Sequence, residues 1–243
     1  CANLREEIPN IKKFFVIGFP LLVANLISSL ILNLDRQFVS VLFNIDTYAS
    51  YAFAYNMLSL ITTVISAIST VLYPTIKVYD KKRLEKNYCR LSAIILMIVA
   101  LSLAAYFPLK FIIDNFLSNY LDSLPYFRII LPGLLISSPI SMIMFNYYKS
   151  LEKQNVYFLI SAIILCVSFC ANAAVYYIFK TPEAISVVSI FVMMLWYLIT
   201  EIYLVRKIDI RPIKNIIYIL VIVAIFYIIT FHIENVFIGI GIY

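Results

Sequence analysis

Five polar positions recur at steps of 3 and 4 through an otherwise apolar stretch: Asn25, Ser29, Asn33, Arg36 (with Gln37 beside it) and Ser40. Steps of that size keep residues on one face of a helix. Amides and hydroxyls exchange hydrogen bonds with polar solutes, and an arginine fork matches the oxygens of a phosphate or carboxylate. Asp35 adjoins Arg36 but points about 100° away around a helix, off the stripe and nearer Ser28. It is expected to serve packing or a gate. A second polar set follows the same spacing: Ser59, Thr62 or Thr63, Ser66, and Ser69 or Thr70, with Tyr55 and Asn56 one turn above. The bland alternatives are a structural ion pair for Asp35 or Arg36, and helix–helix glue for the second stripe.

Other chemistries lack their residues. The single histidine, His232, rules out a histidine-box metal site. The glycines are Gly18, Gly133, Gly239 and Gly241, so no phosphate loop, dinucleotide fingerprint or Gly-x-Ser-x-Gly elbow is present. No metal, no cofactor and no catalytic residue is expected, and the chain is read as a carrier rather than an enzyme.

The elements that must position these stripes are membrane spans. The stretch 14–43 is 30 residues long and would reach about 45 Å as a helix, more than the roughly 30 Å hydrocarbon core. A spanning helix with one wet face belongs against a protein-lined cavity. Composition agrees: 63% of the 243 residues are hydrophobic and 13% charged, against about 45–50% and about 25% in soluble domains. Further spans are expected at 48–73, 91–107, 126–148, 156–179, 184–205 and 216–231. The expected fold is an all-α polytopic transmembrane bundle. It divides into a basic cytoplasmic segment (1–13), six spans (14–205), and a basic loop with a seventh span and a truncated C-terminal segment (206–243).

Charge sets the orientation. With the N-terminus in the cytoplasm, 15 of the 19 Lys and Arg residues fall on inner segments, as the positive-inside rule requires. The net charge of +6 therefore reflects topology, and no nucleic-acid partner is expected. A seven-span receptor, with its N-terminus outside, does not fit. Several local expectations follow. Pro20 bends the first span, Pro74 closes the second, and Pro108 stops the third before an interfacial helix. Pro132 and Pro139 kink the fourth. Small residues of the fifth span, including Ser161 and Ser168, suit close packing, and Cys166 and Cys170 are buried thiols. Glu201 is interfacial, near Arg206, and His232 is solvated. The lack of an initiator Met and an end within an apolar run suggest a piece of a longer protein.

The order of these features resembles a known family. The span GFPLLVANLISSLILNLDRQFVSVLF leads into YASYAFAYNMLSLITTVISAISTVLYP. A basic loop, a span, an outer amphipathic helix and the Pro-rich LPYFRIILPGLLISSPISMIMFNYYKSLEK follow. Together they resemble the C-terminal half of a polysaccharide repeat-unit flippase of the multidrug/oligosaccharidyl-lipid/polysaccharide exporter superfamily. The resemblance implies the second of two six-span bundles, one extra span and the start of another. It implies alternating-access transfer of a lipid-diphosphate-linked oligosaccharide from the inner to the outer leaflet of a bacterial or archaeal cytoplasmic membrane. Membrane lipids, a coupling ion (H+ or Na+), and glycan polymerase and export proteins are the implied partners. Asn25, Ser29, Asn33, Arg36, Tyr55, Asn56, Ser59, Thr63 and Ser66 become substrate-binding candidates, with Arg36 for the diphosphate. Asp35, Pro132 and Pro139 become structural or gating candidates. The alternatives are a drug or cation antiporter of the same fold and a membrane enzyme of glycan assembly.

Overall fold

The computed structural model describes residues 4–77, 81–208 and 213–232, with some side chains near the ends of those segments left out. Cys1 and the apolar end at 236–243 lie outside it, as does the side chain of His232. The fold is all-α, with no strand among the described residues. Four helical stretches there are long and apolar enough to cross a membrane: Lys86–Phe116, Ser118–Ser150, Gln154–Phe179 and Pro182–Ile208. Asn215–Phe231 is a shorter apolar helix. The first two expected spans lie in helices that are described in part. The chain is a multi-pass membrane protein.

Helix α1 (Leu4–Leu42) runs through Gly18 and Pro20 without a break and takes in part of the basic segment expected to precede it. Its buried positions are Ala24, Ser28, Ile31, Asp35 and Val39, again at steps of 3 and 4. This face packs on α8 (Gln154–Phe179) and α9 (Pro182–Ile208). The polar stripe beside it is left open. Asn44 ends the helix pair's connection by accepting a bond from the Thr47 N–H at 2.9 Å, an N-cap for α2 (Ile45–Lys77).

Three expected boundaries differ. Helix α2 continues past Pro74 to Lys77. A proline in a final turn removes one donor, and membrane helices absorb such losses locally. Helix α3 (Lys81–Leu103) starts inside the basic segment. Leu84 and Tyr88, one turn apart, are buried there and fix the register of what composition marks only as charge. Pro108 sits near the start of α4 (Tyr106–Phe116), where its missing N–H has no partner to lose, so it begins a helix rather than stopping one.

The stretch from Ser118 to Ser150 forms the centre of the bundle and is the most enclosed of the four spans. It is interrupted as its prolines suggest. After α5 (Leu124–Ile130) comes a tight 3-10 turn at Leu131–Gly133, then α6 (Leu134–Pro139). Pro139 is followed by a π-turn at Ile140–Met144, then α7 (Phe145–Ser150). Proline lacks the donor that would continue the α ladder, and a widened turn accommodates the loss. Helix α8 ends in left-handed Lys180 (φ 52°), and α9 starts at once on Pro182. Helix α10 (Ile213–His232) packs on α3 and α6.

One side-chain expectation is corrected. Cys166 and Cys170 are exposed, on the outward face of α8, rather than buried. The buried face of that helix is Tyr157, Ser161, Ile164, Ser168 and Asn172. The period of the small residues shows close packing but does not say which of two adjacent small-residue stripes faces in. Glu201, near the end of α9 that carries Arg206, is buried within the bundle at 2% exposure.

Candidate functional site

A cavity of about 300 Å3 opens between α1, α2, the broken central span and α9. That is the lower bound of the about 300–1,000 Å3 typical of small-molecule sites. From α1 it takes Asn33, Asp35 and Arg36, and from α2 Tyr55, Asn56, Ser59, Thr62 and Ser66. The central span supplies Gly133, Ser137, Ser138 and Ser141, and α9 supplies Ser186 and Ser189. Asn25, Ser29 and Thr63 are exposed but do not line it. Pro132 and Pro139 are buried in the span that forms one wall.

The side chains of Ser69 and Thr70 lie outside the described residues, and the Ser and Thr hydroxyls from Ser59 to Ser66 do not glue helices together within this chain. They are exposed, and each spends its proton on its own helix. Ser59 donates to Asn56 O at 2.7 Å, Thr62 to Ser59 O at 2.9 Å, and Ser66 to Thr63 O at 2.9 Å. Ser141, at the π-turn, donates to Ser137 O at 3.0 Å. Asn33 Nδ2 donates to Ser29 O at 2.8 Å. The lone pairs of the hydroxyl and amide oxygens remain. The wall is therefore rich in acceptors, which suits a ligand rich in O–H donors.

The acid beside the cavity is held differently. Asp35 is 1% exposed. Its Oδ2 accepts from Tyr51 Oη at 2.7 Å and Tyr55 Oη at 2.5 Å, and its Oδ1 accepts the Arg36 backbone N–H at 2.8 Å. Tyr51 Oη also lies 2.9 Å from Ser186 Oγ on α9. The carboxyl thus joins α1 to α2 and, through Tyr51, to α9. Sequence reasoning placed Asp35 off the wet stripe but missed Tyr51. Its spacing of four from Tyr55 is a signal that could have found it. Ser186 and Ser189 carried no such signal, because nothing in α9 alone says which of its hydroxyls meets the cavity.

Arg36 is half-buried, and among the described residues no carboxylate pairs with its guanidinium. A second cation, Arg128, is engaged elsewhere. Its guanidinium carbon sits 4.0 Å from the centre of the Phe231 ring, a cation–π contact between α5 and α10. The cavity therefore combines acceptor-rich walls with the cation of Arg36.

Behind the cavity, Ser189 donates to Asn172 Oδ1 at 3.2 Å, and Asn172 Nδ2 donates to Ser168 O at 2.9 Å. These bonds hold α9 against α8 with buried polar groups satisfied.

Among curated proteins and solved structures, none matches the chain. A family model does: residues 4–79, which hold α1 and α2, match the family described as polysaccharide biosynthesis protein. The segment that supplies Asn33, Asp35, Arg36, Tyr51, Tyr55 and the hydroxyl ladder of α2 is thus the one similar to the polysaccharide biosynthesis protein family.

Proposed function

We propose that the chain belongs to a carrier that passes lipid-diphosphate-linked oligosaccharide units from the inner to the outer leaflet by alternating access, for cell-surface polysaccharide synthesis. The observation that supports this reading most is the pairing of an acceptor-lined wall with one cation in a single cavity. Acceptor lone pairs on Ser59, Thr62, Ser66 and Ser141 receive sugar hydroxyls. The Arg36 fork meets diphosphate oxygens. The lipid tail stays in the bilayer and needs no protein cavity. The family match over residues 4–79 agrees with a polysaccharide pathway.

In this reading the protein works in a bacterial or archaeal cytoplasmic membrane, draws on H+ or Na+, and hands its cargo to glycan polymerase and export proteins. It performs no covalent chemistry. A carrier of cationic drugs would want a free acid in the cavity. Here the acid is saturated by donors and the half-buried ion is Arg36.

The Arg36 series tests the reading in cells that depend on the protein at its natural length. Arg36→Ala should abolish glycan export while the protein stays in the membrane, and Arg36→Lys should keep part of it. Normal export by Arg36→Ala at normal abundance contradicts the reading.

A further inference from the structure

The bundle holds a second buried acid that the proposed transport site does not use. Glu201, on α9, is 2% exposed. Its Oε1 accepts from Tyr197 Oη at 2.9 Å and from Tyr88 Oη of α3 at 3.5 Å. Its Oε2 is buried with no hydrogen-bond partner. The arrangement repeats the one at Asp35, an acid clasped by two tyrosines, but the two differ in one respect. Both oxygens of Asp35 are occupied by donors, whereas one oxygen of Glu201 is left empty.

Among the described residues, the groups around Glu201 come from α3, α7 and α9. Tyr88 and Cys89 approach from α3, Tyr147 stands edge-on to Tyr88 from α7, and Tyr197 lies one turn back on α9. Among the described residues no Lys, Arg or His pairs with the carboxyl. A bare carboxylate inside a membrane bundle is costly without a cation or a full set of donors. A metal ion would need several converging oxygens. No cluster of three or more His, Cys, Asp or Glu suited to a metal exists among the described residues. One empty oxygen on an acid with no counter-ion among the described residues fits a single proton.

We propose that Glu201 is a proton-binding residue, carrying a proton on Oε2 while α3 and α9 are packed together and exchanging it when that seam opens. The acid lies seven residues from the C-terminal end of α9 at Ile208, and Tyr88 lies in the early turns of α3. Both sit at the end of the bundle that carries the basic segments, which the charge pattern places on the cytoplasmic side. Glu201 and Ser186 are 15 residues apart on α9, about 22 Å along the helix. One helix is therefore fastened near one end to α2 by a saturated acid, and near the other to α3 by an acid with an empty oxygen. A proton gained or lost at Glu201 changes the charge at the second fastening and leaves the first alone. The proton comes from and returns to solvent, so no other reactant is needed.

Infrared difference spectroscopy on the purified protein at its natural length, in bilayers, tests this without any transport measurement. Spectra taken between acidic and alkaline pH should contain the carbonyl band of a protonated carboxylic acid that persists at neutral pH. The band should vanish in Glu201→Gln and remain in Asp35→Asn. Gln has the shape and charge of the neutral acid, so that variant should keep the packed fold, as read by circular dichroism and monodispersity. Glu201→Asp keeps a carboxyl and should keep a titrating band. A Glu201→Gln protein with wild-type fold and a spectrum superimposable on the wild type at every pH overturns the proposal. Because the readout is the proton itself, it can fail while sugar transport stands, or stand while sugar transport fails.

Discussion

Tyr55 donates its phenolic hydrogen to Asp35 at 2.5 Å, and by that bond the cavity's most buried acid is tied to its second wall. The two residues are 20 apart in sequence and stand on different helices. Both line the cavity. The bond thus fixes how far α1 and α2 can part at the place where Arg36 faces the space between them.

Removing the carboxyl should cost more than removing either hydroxyl. Asp35→Ala leaves the buried Tyr55 donor unmet, about 1–3 kcal/mol, and leaves Tyr51 with Ser186 alone. Tyr51→Phe removes one of three donors and should cost about 1 kcal/mol. Thermal unfolding of the detergent-purified protein should rank the variants in that order. Equal midpoints for Asp35→Ala and the wild type would show that the clasp holds nothing together.

The π-turn after Pro139 places Ser141 in the cavity wall. Pro139→Ala restores a backbone donor and should favour a regular α ladder, rotating the residues that follow. A cysteine placed at 141 should then react several-fold more slowly with a small polar thiol reagent than it does with Pro139 present. An unchanged rate would mean the turn does not depend on the proline.

Cys89 is exposed near the start of a membrane-spanning stretch and beside the basic face of α3. In a protein whose other cysteines are replaced by serine, a membrane-impermeant thiol reagent should leave Cys89 unlabelled in intact cells and label it after permeabilisation. Labelling in intact cells would invert the topology that places the Arg36 end of α1 outward.

Much of this was legible where the information is local. The spacing of Asn33, Arg36, Asn56, Ser59 and Ser66 marks two wet faces, because a 3.6-residue period is a property of one helix. Pro132 and Pro139 mark breaks for the same reason, since a missing donor acts within its own turn. The basic segment before α3 hid a helix start, because charge density says nothing about the register that buries Leu84 and Tyr88. The burial of Glu201 was not legible because its partner Tyr88 is 113 residues away, and burial of an acid is decided by what packs over it. Cys166 and Cys170 were misplaced because α8 has small residues on more than one face, and only the packing of α1 and α9 selects Ser161 and Ser168.

The most direct test of the central reading is movement of the cargo itself. The protein at its natural length is reconstituted into vesicles with a labelled lipid-diphosphate-linked oligosaccharide confined to one leaflet. The fraction that becomes accessible to a sugar-oxidising reagent on the other side is then followed in time. The account expects transfer well above protein-free vesicles, at least about tenfold slower with Arg36→Ala, corresponding to the roughly 1.4 kcal/mol or more that a lost charge-assisted phosphate contact removes. Transfer no faster than in protein-free vesicles, or equal rates for Arg36→Ala and the wild type, would contradict it.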